Sequence, residues 1–229
     1  YIPNNQKYNI IKYSKNEEDM EIKKMDLGIL TIVDEEARAV INGFNINIKK
    51  PLFINHKYYD EGYLDVENKH ISIVHRQCNK QGNISMAVEF LDMQKEFNPS
   101  YMILLGIAGS IQDKIELCDV VICNDVLYYE HRKETNEGIE RRLEHFNMSP
   151  TMNTCITRFR LMCDKPFQAS EGSFQETFNL HISPVGTGEA VVGKELSETK
   201  KWLLTVNRKT GIVETEAAGF TAAFQDGCK

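Results

Sequence analysis

The run LGILTIV, Leu27 to Val33, constrains this chain most: it carries no charge and is dominated by aliphatic and β-branched side chains. A strand that is apolar on both faces has to be covered on both faces. The next residues, DEEARAVINGF, supply one cover, because Ala37, Val40, Ile41 and Phe44 recur at helical spacing after an acidic turn. The alternation then repeats. HISIVHR (His70 to Arg76) reads as a second strand and NISMAVEFLDMQKEF (Asn83 to Phe97) as a helix. PSYMILLGIAGSI reads as a strand entering a turn of small residues, and DVVICNDVLYY (Asp119 to Tyr129) as another strand. NLHISPVGTGEAVVGKEL (Asn179 to Leu196) combines a strand with a Gly-rich turn, and ETKKWLLTVN (Glu198 to Asn207) is a helix. Near-unbroken apolar strands alternating with helices predict an α/β sandwich.

Two segments stand apart from this pattern. Residues 1–25 are polar, rich in Asn, Lys and Glu, and read as a linker or arm ahead of a single domain over 26–229. Glu130 to Thr177 mixes charge, Met, Ser and Pro without clear periodicity, and is expected to be an irregular lid or insertion.

Several function classes fall away on composition. The net charge is −6 and Lys and Arg are scattered, so no basic stripe points to nucleic acid. The start has no apolar signal-peptide core, and no run approaches the ~20 apolar residues of a membrane span, so a cytoplasmic protein with no membrane partner is expected. The six cysteines form no CxxC and no metal-like pairing with the six histidines; they read as buried thiols of a reducing compartment, and neither metal nor cofactor is expected. There is no GxGxxG and no GK[ST], so neither a dinucleotide fold nor a P-loop is supported.

Four stretches could carry chemistry. In GIVETEAAGF (Gly211 to Phe220), Glu214 and Glu216 stand two apart before a run of small residues. This is either an exposed strand end or a strand ending in a pocket, with one acid turned to a polar ligand. GIAGSI (Gly106 to Ile111) follows an apolar strand, where glycine lets backbone N–H groups approach a ligand or lets strand and helix pack closely. Asp34, Glu35 and Glu36 open a helix, where acids cap free N–H groups in any case. VGTGEAVVGK is a turn first and a ligand loop second.

Taken in order, strand-DEE-helix, strand-GIAGS, DVV-strand-YYE, SPVGTGEAVV, helix and VETEAAGF resemble the purine nucleoside phosphorylase and uridine phosphorylase superfamily, with the closest likeness to its methylthioadenosine/S-adenosylhomocysteine nucleosidase branch. The resemblance runs from Leu27 to the end. It implies a three-layer αβα sandwich around a mixed, twisted central sheet, and cleavage of a purine N-ribosidic bond. It further implies that Glu36 positions and deprotonates the attacking water, that Ala108 and Gly109 lie against ribose and water, and that Val191 and Val192 bracket the base. Thr215 replaces the usual Met under the sugar, and Glu216 binds the ribose 2′-hydroxyl. Glu214 is then structural. The family's strands bulge at this motif, so simple alternation does not decide where Thr215 points.

The resemblance also implies a small-molecule purine nucleoside or nucleotide as partner and a homo-oligomer, with the 5′ pocket drawing on a neighbouring subunit. Superfamily relatives also occur as effector domains in signalling and antiviral defence, and the polar start is compatible with such a fusion. Two departures matter. Phosphorylases carry an Arg before the glycine turn, whereas Leu104 and Leu105 stand here, so water is the expected nucleophile; phosphorolysis would need cations such as Arg38 or Arg76. The family also continues into a strand ending in an Asp that serves the purine N7. This sequence stops at FQDGCK, so a truncated domain or a different leaving-group acid is expected, and Asp226 is too close to the helix for that role. A ligand-sensing module that has lost catalysis is the non-enzyme alternative.

Overall fold

A computed structural model describes residues 24–44, 46–136, 138–162, 166–171, 174–191 and 197–227. The first part of the chain builds β1 (Leu27–Thr31), α1 (Asp34–Gly43), β2 (Leu52–Ile54), β3 (Lys57–Val66), β4 (Lys69–Gln77), α2 (Asn83–Phe97) and β5 (Tyr101–Leu104). Next come β6 (Gly109–Ser110), β7 (Val120–Tyr128), β8 (Arg132–Thr135), β9 (Gly138–Arg141), β10 (Glu144–Asn147), α3 (Pro150–Met162), β11 (Phe167–Glu171) and β12 (Phe174–Phe178). The chain then forms β13 (Leu180–Thr187), α4 (Glu198–Val206), β14 (Ile212–Glu214) and α5 (Ala217–Gly227).

The strands hydrogen-bond as two five-stranded mixed sheets, in the orders β2-β3-β4-β1-β5 and β10-β7-β13-β14-β6. Neighbouring residues of each central strand serve opposite helix layers, which is why these runs carry no polar alternation. In the first sheet Ile29 and Ile73 pack with Val40 of α1, while Leu30 and Val74 pack with Met86, Phe90 and Met93 of α2. In the second, Val126, Val185 and Ile212 pack with Ala218 of α5, while Leu127 and Val213 pack with Leu203 of α4. The α/β sandwich follows directly from this double use of each strand. Met25, the last residue of the expected arm, is only 3% exposed and belongs to the core.

Two expectations change, and one hairpin has no counterpart in the sequence reading. Glu130 to Thr177 is not irregular: it holds the β8–β9 hairpin, β10, α3 and the β11–β12 hairpin. The β2–β3 hairpin carries no long apolar run and turns on Asn55 and His56, whose φ values of 49° and 65° suit a two-residue turn with both centres left-handed. The cysteines are not uniformly buried, since Cys118 and Cys155 are exposed and Cys78 is buried; Cys163 and Cys228 lie outside the described residues. Among the described residues no helix is long and apolar enough to cross a membrane, and no cluster of His, Cys, Asp or Glu could hold a metal ion.

Candidate active site

Parallel pairing brings the carboxyl ends of β7, β13 and β14 together: Thr187 stands beside Tyr128 on one side and Glu214 on the other. The site is built at these ends and at the end of β1.

Glu36 is the third residue of α1 and is buried. Its Oε2 accepts the backbone N–H of Ile32 at 2.7 Å and of Val33 at 3.0 Å, so it does cap its own helix. Its Oε1 does something else: it accepts the N–H of Ile107, in the GIAGS turn, at 2.8 Å. Gly106 makes this approach possible, because a Cβ there would stand 2.9 Å from that oxygen. One side chain therefore both caps its own helix and holds the GIAGS turn.

The same turn reaches the second carboxylate. Its later residue Gly109 pairs with Val213 of β14, which leads straight into Glu214, Thr215 and Glu216. Ala108 is exposed between the two ends of the turn. Glu216 is 9% exposed, and its Oε1 accepts the N–H of Gly82 at 2.9 Å and the hydroxyl of Thr215 at 2.5 Å. β14 ends at Glu214, so residues 215 and 216 lie beyond the strand, and neither alternation nor a bulge there sets their direction. The register break of this sheet falls in β13 instead, between Ser183 and Val185.

Glu214 holds the turn in shape. Its Oε2 accepts the N–H of Glu216 at 2.7 Å and of Ala217 at 2.8 Å, capping α5. Its Oε1 is buried close to the Thr187 hydroxyl, which gives its own proton to Asn83. Burial pushes the Glu214 carboxyl up to about 7, against the bonds that favour its charge. A proton on Oε1 would make it a donor toward that hydroxyl. The stability consequence has a definite sign. Below the ordinary value of 4.5 the group is neutral folded or unfolded; between there and about 7 the folded state binds the extra proton, so stability falls as pH rises through this window. The melting temperature should decline across it, and Glu214→Gln, which copies the neutral acid, should flatten that slope.

Sequence reasoning missed Gly82 and Asn83. Asn83 Oδ1 accepts the N–H of Gly219 at 2.9 Å, and its Nδ2 donates to Glu189 at 3.0 Å. A Cβ on Gly219 would fall 1.8 Å from the Asn83 carbonyl oxygen, which explains the small residues after the acids: α5 packs backbone to backbone on the start of α2. The only local sign was a Gly-Asn pair at a helix start. Val191, expected to bracket a base, is 82% exposed. Val192 lies outside the described residues. Asp226 sits in the last turn of α5.

Residues 26–223 match the family model described as "Phosphorylase superfamily". The chain belongs to that superfamily. A search of curated proteins returns no match. Among solved structures, this phosphorylase-superfamily domain is similar to a mutant futalosine hydrolase of Helicobacter pylori, with TM-score 0.64, 15% identity, and 89% of this chain and 84% of that one covered. It is similar to a mutant 5′-methylthioadenosine/S-adenosylhomocysteine nucleosidase of the same organism with 5′-methylthioadenosine in its active site, at TM-score 0.66 and 15% identity over 89% and 80% of the two chains. The S. pneumoniae nucleosidase with a transition-state inhibitor aligns at TM-score 0.63 and 17% identity, over 89% and 81%. At these identities the likeness carries the fold.

Proposed function

We propose that the protein hydrolyses the N-ribosidic bond of a purine nucleoside or nucleotide, with adenine as the base. The observation that carries this reading is the GIAGS turn, which binds the Glu36 carboxylate at its start and pairs with the strand leading to Glu216 at its end. Two carboxylates fixed by backbone N–H groups on either side of one glycine turn suit the demands of this bond. As the bond from C1′ to the base nitrogen breaks, its electron pair goes to the base and positive charge grows on the sugar. Glu216 at the 2′-hydroxyl opposes that charge. Glu36 takes the proton of a water whose oxygen forms the new bond to C1′. The departing nitrogen takes up a proton. The relatives named above, two of them nucleosidases and one a hydrolase of futalosine, support the class of reaction, and a defence or signalling role in a cytoplasmic homo-oligomer is the setting we propose for it.

Phosphorolysis finds less support at this site. Leu104 and Leu105 precede the turn, Arg38 is exposed on α1, and the Arg76 guanidinium is already committed. Arg76 donates through Nε and Nη2 to Glu89 at 2.6 and 3.2 Å and through Nη1 to the Tyr58 carbonyl at 3.0 Å. Incubation with adenosine, methylthioadenosine and adenine nucleotides, with and without phosphate, should release adenine at a rate independent of phosphate. Mass spectrometry should find a free anomeric hydroxyl on the sugar. A sugar 1-phosphate would establish the phosphorylase, and binding without any base release would establish a sensing module.

A further inference from the structure

Beyond the ends of β7 and β13, a cavity of about 180 Å³ is lined by Tyr129 and Glu130 after β7, Ala190 after β13, and Arg132 and Arg141 of the β8–β9 hairpin. It holds several times the ~30 Å³ share of one water. Three observations indicate what it is built to receive. Tyr129 is 3% exposed, and its hydroxyl is buried with no hydrogen-bond partner among the described residues, which native structures rarely tolerate. Arg132 and Arg141 stand directly opposite each other in the register of the hairpin, a placement of like charges that destabilises a strand pair unless an anion lies between them. Arg141 is held in place, donating to Thr199 Oγ1 at 3.2 Å and lying 5.4 Å from the Trp202 ring centre. The lining acid Glu130 is turned to the Glu189 N–H at 3.2 Å. Two guanidinium forks line a common space, with an unpartnered phenol hydroxyl buried in its wall, which is the chemistry of a phosphate site.

Glu189 is one link between the cavity and the carboxylate site. It donates its N–H to Glu130 on the cavity side, and its carboxylate accepts the Asn83 Nδ2–H on the other. We propose that this cavity binds a phosphate group, carried by a nucleotide whose base and ribose occupy the Glu36 and Glu216 site or supplied as the free ion. The placement of the nucleoside part rests on the nucleosidase reading; the phosphate site does not.

Calorimetric titration of adenosine 5′-monophosphate, adenosine and inorganic phosphate into the wild type and an Arg132→Gln/Arg141→Gln variant tests it. The variant also gives up the Arg141 contacts to Thr199 and Trp202, so its melting curve is recorded beside the titration to separate loss of binding from loss of fold. The nucleotide should bind about tenfold or more tightly than adenosine, and the variant should lose that preference while keeping its affinity for adenosine. Inorganic phosphate that binds the wild type alone and not the variant, with no nucleotide preference, would support the site and assign it to the free ion. Tyr129→Phe should weaken phosphate binding a few-fold with an unchanged melting temperature. Equal binding of nucleotide and adenosine, with inorganic phosphate binding indifferent to the arginines, would overturn the proposal. Arginine-dependent phosphate binding without base release from any substrate would keep the cavity and remove the nucleosidase reading.

Discussion

Glu216→Gln should lower base release by two orders of magnitude or more while leaving the fold intact. The Gln carbonyl can still accept the Gly82 N–H and the Thr215 hydroxyl that Glu216 Oε1 now accepts, so the contact between α5 and the start of α2 survives. What is lost is the negative charge that the proposed reaction sets against the ribose as the sugar becomes cationic. Removing one transition-state partner of this kind costs about 2.7–4 kcal/mol, or ~10²–10³ in rate. Glu214→Gln is the matched control, since its carbonyl can keep accepting from Glu216 and Ala217. Turnover in that variant should stay within a few-fold of the wild type. Full activity in Glu216→Gln, measured as released adenine, would remove Glu216 from the mechanism.

Glu36→Gln should be the more damaging change, abolishing hydrolysis with substrate affinity nearly unchanged, because a general base acts on water and contributes ~10²–10⁴ to rate. Its structural effect should also be measurable. Both Glu36 oxygens accept backbone N–H groups, so the Gln amide must turn its NH₂ toward either Ile107 or the pair Ile32 and Val33. Facing Ile107 loses the fewer bonds, sets donor against donor, and should cost about 1–3 kcal/mol of stability. Melting curves and calorimetric binding, run beside the assay, separate this loss from the catalytic one. Glu35→Gln, on the exposed side of α1, should behave as wild type. An inactive Glu35 variant with an active Glu36 variant would show that the neighbouring acid is the base.

The parts of this fold legible in the sequence are those whose physics is local. β1, β4, β7 and β13 are buried between helix layers and so read as apolar runs, and the two acids were visible because glycines and alanines stand beside them. β8 is exposed at every residue, and α3 buries none of its side chains, so neither has an apolar period to detect. β3 was obscured because its pairing with β4 leaves Tyr, Asp and Glu along it half exposed. Gly82 and Asn83 owe their importance to partners far along the chain, and no local pattern records such a debt. Arg76 looked available as a cation only because Glu89, which neutralises it, lies on another element.

The bond from Gly82 to Glu216 joins residues 134 positions apart. Ribosomes add roughly 5–20 residues per second, so about seven to twenty-seven seconds separate the synthesis of these two partners. Through that interval a growing chain holds Glu36, its helix and the first sheet, but lacks the acid that would face the ribose. Unfinished polypeptides therefore carry half of the proposed site, and its second carboxylate is fixed only when the late helix docks on the early one.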